Sequence, residues 1–265
     1  MAFDVGEVVT KGFKDVFQTK IFYFVLIWSL IDFALLAILG TVGFNPMSGL
    51  DLDAQSLPPS FAVFLILFMF IWVLIHLFMV HIVIKYLSKK SNGLNKDLIK
   101  GVGFSAINFV CYGIIITLVY FIFLIFVTVA FILGGLVLGL ISTLVPMLGV
   151  ILGVLLTVVF ILCLAFFWLY LYVGLSVVPY HVVLEKKDII SAIMKGWVLT
   201  KKHRFQLFGI LFVAWAVMIP LFIMNLLFSL TPILGNVVNV LVSNLFIVWI
   251  LVVLYEAYVS LKSAK

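Results

Sequence analysis

The chain has 265 residues, of which 66% are hydrophobic and 10% charged, with a net charge of +6 and a mean hydropathy of +1.41. That composition excludes a water-soluble domain, whose surface helices each need a polar face. It also speaks against nucleic acid as a partner, because the 16 Lys and Arg residues fall in short clusters between apolar runs, where membrane-flanking charge is placed.

Residues 3–18 put Val5, Val8, Val9, Gly12, Phe13 and Val16 on one helical face and Asp4, Glu7, Lys11, Lys14, Asp15 and Gln18 on the other. This predicts an amphipathic helix in the membrane interface. An apolar run of about 20 residues is read as a helix crossing the bilayer, and the first covers 21–43. Residues 43–60, rich in Gly, Pro and Ser and carrying Asp51 and Asp53, read as an external loop. A second span is expected over 61–84, followed by a Lys-rich connector with a short interfacial helix at 94–102.

Residues 104–178 carry no charge. They are too many for two ordinary spans and too few for four with turns. Lys and Arg stay on the cytoplasmic side of short loops, so Lys100 and Lys186 share a side and the number of crossings between them is even. Spans at 105–131 and 149–178 satisfy this, with 132–148 as an apolar connector whose Gly134, Gly135 and Pro146 suit irregular backbone. Residues 188–200 give a third interfacial helix. The last spans fall at 205–230 and 237–261, around a turn at 231–236.

The expected fold is therefore all-α, a polytopic membrane helix bundle forming one domain over 1–265. Both termini are expected in the cytoplasm, in the cell membrane. The first and third interfacial helices also match at a constant offset, pairing Asp4 with Asp188, Val9 with Ile193, Lys11 with Lys195, Gly12 with Gly196 and Phe13 with Trp197. This suggests a threefold internal repeat of one interfacial helix and two spans.

Pro179 ending a span, Glu185, then Ala192, Gly196, Trp197, Leu199 and Lys201 in one helix, and Phe208 with Gly209, form a pattern of their own. With the amphipathic start at Asp4 to Phe13, it resembles the membrane-domain family of glycerophosphodiester phosphodiesterases and related six-helix prokaryotic proteins of unknown function. The resemblance implies the fold and a membrane location. Gly196 stands where such chains often have serine, and no soluble phosphodiesterase domain accompanies the pattern, so the resemblance implies no catalytic activity.

Asp32 stands out chemically, because a carboxylate in the middle of a span needs a partner or a proton. At about 1.5 Å per residue, Asp32 lies roughly 18 Å above Lys20 and His76 roughly 14 Å above Lys85, so the two are expected to meet as a hydrogen-bonded pair. Lys11, Phe13, Lys14, Lys195, Trp197, Lys201, Lys202 and Arg204 form a basic, aromatic-bearing surface suited to membrane lipids. Gly135 with Gly139 and Gly149 with Gly153 have the spacing of close helix packing. Glu256 is expected to snorkel or to pair with a nearby lysine.

No His, Cys or acidic spacing resembles a metal site, no nucleophile stands beside a base, and no cofactor is expected. The chain reads as a non-catalytic membrane protein, a scaffold or a binder of lipid or of a protein partner that includes a second copy of itself. The alternative is a transporter or permease subunit for a lipid or small apolar solute, with Asp32 and His76 lining its path.

Overall fold

The computed structural model describes residues 4–18, 21–41, 59–89, 96–144, 146–228 and 232–263. These form ten helices in the order α1 (Val5–Gln18), α2 (Ile21–Thr41), α3 (Pro59–Lys89), α4 (Lys96–Ile99), α5 (Val102–Leu144), α6 (Pro146–Leu175), α7 (Val178–Glu185), α8 (Ile189–Thr200), α9 (Arg204–Phe228) and α10 (Pro232–Ser263). Six of them, α2, α3, α5, α6, α9 and α10, are long and apolar enough to cross a membrane. No strand occurs among the described residues. The chain is an all-α bundle of multi-pass membrane character, and the external loop expected at 43–60 lies almost entirely outside the described residues.

Four boundaries differ from expectation for physical reasons. Residues 132–148 are not an irregular connector: α5 continues to Leu144 and α6 starts at Pro146. Glycine costs little in an apolar helix whose backbone must bond internally in any case, and proline is well placed in a first helical turn. The same property of Pro232 starts α10 inside the turn expected at 231–236. Of the interfacial helix expected at 94–102, residues 94 and 95 lie outside the described residues and Lys96–Ile99 form α4, which ends before Gly101, whose φ of +89° separates it from α5.

The glycine pairs also differ. A Cβ on Gly135, Gly139 or Gly153 would meet nothing within 4 Å, whereas one on Gly149 would lie 2.3 Å from Ser142 Cβ and one on Gly134 3.1 Å from Leu156 Cδ2. The close approach of α5 and α6 is therefore built on Gly134 and Gly149. Gly135, one residue from Gly134, is turned about 100° off that face.

The amphipathic helices form where their caps dictate. Asp4 Oδ1 accepts from Gly6 N at 2.8 Å, and Asp188 Oδ2 accepts from Ser191 N at 3.0 Å, satisfying donors that a first helical turn leaves open. Each helix then packs in the same manner. Gly12 sits against Val253 of α10 and Gly196 against Val178 at the start of α7. Lys11 donates to Glu256 in α10, and Lys195 lies 3.7 Å from Glu185 at the end of α7.

The packing order is cyclic. Helix α1 lies on α9 and α10, α8 on α5 and α6, and α4 on α3. For α1 and α8 this is the arrangement expected if one interfacial helix and two spans repeat along the chain, while α4 packs on the span that precedes it in sequence. In α1, Val8, Val9, Gly12 and Val16 are buried against protein while Phe13 and Phe17 stay 45% exposed.

Candidate functional site

Asp32 is buried where α2, α3 and α10 meet, at 6% exposure. Its Oδ1 accepts from Trp72 Nε1 at 3.1 Å and its Oδ2 from Asn244 Nδ2 at 2.8 Å. Asn244 also reaches Ser29 Oγ at 3.4 Å. His76 Nε2 lies 3.4 Å from the same Oδ2, so the structure brings the two residues together.

The other nitrogen of His76, Nδ1, lies 2.9 Å from the carbonyl oxygen of Trp72. A carbonyl only accepts, so Nδ1 carries a proton. In a neutral imidazole Nε2 would then be bare, facing a carboxylate oxygen that is also bare. The contact is attractive only when a further proton is held between His76 Nε2 and Asp32 Oδ2, on either partner. The pair is neutral with that proton and carries one negative charge without it.

The cluster closes one end of a cleft of about 460 Å³ walled by Leu35, Leu36, Phe68, Met69, Val240 and Ile247, with Asn239 and Ser243 as further polar groups. The Trp72 ring lies tilted against His76 at 4.4 Å between ring centroids, and Trp28 meets the same imidazole edge-on at 5.0 Å. On the side nearer α1, Val25, Trp28, Val83, Val248, Trp249 and Val252 are essentially fully buried. These side chains close the cleft on that side. An aromatic, apolar chamber with one carboxylate at its base suits an apolar body bearing a polar or cationic head.

Composition and depth counting singled out Asp32 and His76 but missed Trp72, Asn244 and Ser29. The available signal was the run of Asn236, Asn239, Ser243 and Asn244 in the last span, polar groups spaced to share a helical face.

The proposed lipid-facing residues divide. Lys11 pairs with Glu256, which is the lysine partner expected for that acid, and Lys195 lies near Glu185, so neither ammonium is simply presented to headgroups. Glu185 also receives Lys262 at 2.9 Å and Tyr258 at 3.0 Å, with His181 3.3 Å away. Lys14, Lys201 and Lys202 are exposed. Phe13 meets Trp249 edge-on at 5.2 Å. The Arg204 guanidinium lies against the rings of both Trp197 and Tyr170. Among the described residues no group of three or more His, Cys, Asp or Glu could hold a metal ion.

Comparison with protein-family models, curated proteins and solved structures returns no match to this chain.

Proposed function

We propose that the protein is a non-catalytic membrane protein that binds a small amphiphile, with its polar head at Asp32 and its apolar body along the cleft between α2, α3 and α10. The observation that carries this reading is the 3.4 Å approach of His76 Nε2 to Asp32 Oδ2 in an apolar cleft that buried side chains close on the side nearer α1. A neutral, proton-loaded pair is the cheaper resident of a low-dielectric site. A cationic head such as an ammonium replaces that proton without adding net charge, and Trp72 and Phe68 offer it aromatic faces. Binding is favoured over passage by the buried apolar plug around Trp28 and Trp249, which separates the cleft from α1.

In this reading the protein sits in the cell membrane with both termini and every Lys and Arg on the cytoplasmic side, as the charge asymmetry of the sequence supports. The likeness to the phosphodiesterase-associated membrane domains is proposed on the pattern from Pro179 to Gly209, and it carries no activity here.

The test is a single cysteine at Ser243, on the exposed rim of the cleft, in protein lacking Cys111 and Cys163, reconstituted in vesicles. Reaction with a membrane-impermeant maleimide from one face only, slowed by dodecylamine in the Asp32 protein and not in Asp32→Asn, is expected. Reaction from both faces would move the assignment to the transporter reading. Absence of protection by the amine would remove the amphiphile site.

A further inference from the structure

A second groove lies between α6 and α9. It is open, about 510 Å³, and walled by Phe166, Phe167, Tyr170 and Val173 on one side and by Phe205 and Phe208 on the other. Arg204, the first residue of α9, lines it as its one charged group. The guanidinium carbon is 4.1 Å from the ring centre of Tyr170 and 3.9 Å from that of Trp197, with those two rings set at 80° to each other.

The clamp is itself held in place. A Cβ on Gly174 would come within 2.6 Å of the Trp197 ring, so the glycine lets that indole seat on α6. Thr200 Oγ1 donates to the Gly174 carbonyl at 2.9 Å and ties the end of α8 to the same turn.

Arg204 has no acid within ion-pair distance among the described residues, and its buried Nε and Nη2 make no hydrogen bond there. An arginine next to the bilayer that lies against two aromatic rings set nearly at right angles, with its charge unanswered, is half of an ion pair. The exposed Lys201 and Lys202 precede it and extend the positive field. Phe205, 91% exposed, and Phe208 continue the wall into the apolar span.

We infer that this groove is a binding site for an anionic phospholipid of the surrounding membrane, the headgroup phosphate on Arg204 and an acyl chain along Phe166, Tyr170 and Phe208. Charge complementarity fixes the headgroup class, and the apolar length of the groove requires the tail. The site is separate from the Asp32 cleft and does not depend on what that cleft binds.

The test uses the full chain in phosphatidylcholine vesicles with spin-labelled phosphatidylglycerol or spin-labelled phosphatidylcholine, reading the motionally restricted lipid fraction. The native protein is expected to prefer the anionic label. That preference falls by about 5-fold in Arg204→Gln, consistent with roughly 1 kcal/mol per basic residue at a membrane surface. Arg204→Lys, which keeps the charge and guards against misfolding as the cause, should fall between the two, and Lys201→Gln with Lys202→Gln should lose less than Arg204→Gln. Soluble glycerophosphate at millimolar concentration should not compete. Equal preference in Arg204→Gln and the native protein, a larger loss from the paired lysines, or displacement by glycerophosphate would each overturn the proposal.

Discussion

His76 approaches Asp32 with Nε2 3.4 Å from Oδ2 while its Nδ1 faces a carbonyl oxygen 2.9 Å away. One imidazole cannot satisfy both neighbours as a neutral ring beside an ionised carboxylate. The expectation is a proton shared by the pair in the resting protein. Nitrogen NMR of labelled His76 in bilayers should show Nδ1 protonated, with Nε2 in a hydrogen bond. An unprotonated Nδ1 would break the proton accounting.

Asp32 also organises its neighbours. Asp32→Ala leaves the Trp72 indole and the Asn244 amide without their acceptor, at a cost of about 2–4 kcal/mol. Asp32→Asn keeps an acceptor oxygen and should cost less than half as much. Reversible unfolding in mixed micelles checks both. Equal losses would mean that the carboxylate's charge or its second acceptor oxygen, and not the shape and single acceptor that Asn retains, carries the contribution.

Docking of α1 depends on Gly12 and Lys11. A Cβ on Gly12 would stand 2.7 Å from Val253 Cγ2 and 3.3 Å from Val253 Cα, so Gly12→Ala should destabilise by about 1–3 kcal/mol. Gly196→Ala should cost less, its nearest neighbour being a methyl at 3.0 Å. Gly103→Ala, where a Cβ meets nothing within 4 Å, should be neutral or slightly stabilising.

The hydrogen bond to Glu256 holds the Lys11 ammonium above its ordinary value of 10.5. A raised value in the folded state means that this contribution is at full strength below about pH 10.5 and is lost as pH rises through the higher value. A spin label at the exposed Thr10 should therefore be ordered at neutral pH and gain mobility at strongly alkaline pH. In Lys11→Met it should be mobile already at pH 7. Alkaline mobility that Lys11→Met does not reproduce would place the transition elsewhere.

Much of the bundle was legible because apolar length and charge placement are direct consequences of a lipid solvent. Counting residues from Lys20 and Lys85 was enough to set Asp32 and His76 at one depth, since helical rise is fixed. Trp72, Asn244 and Ser29 were not legible: a neutral polar side chain in an apolar run looks the same facing lipid or facing a carboxylate. The partners of Lys11 and Lys195 were hidden for a related reason, because Glu256 and Glu185 reach them only through the packing of α1 on α10 and of α8 on α7. The 132–148 segment misled because Gly134 and Gly135 signal a break in water and are tolerated in a membrane helix.

The most direct test of the Asp32 cleft is calorimetric titration of the reconstituted protein with dodecylamine in two buffers of different ionisation enthalpy. The structure predicts saturable binding with release of the proton shared by Asp32 and His76, and loss of that proton release in Asp32→Asn. Binding of equal strength with no proton release in either protein would contradict it.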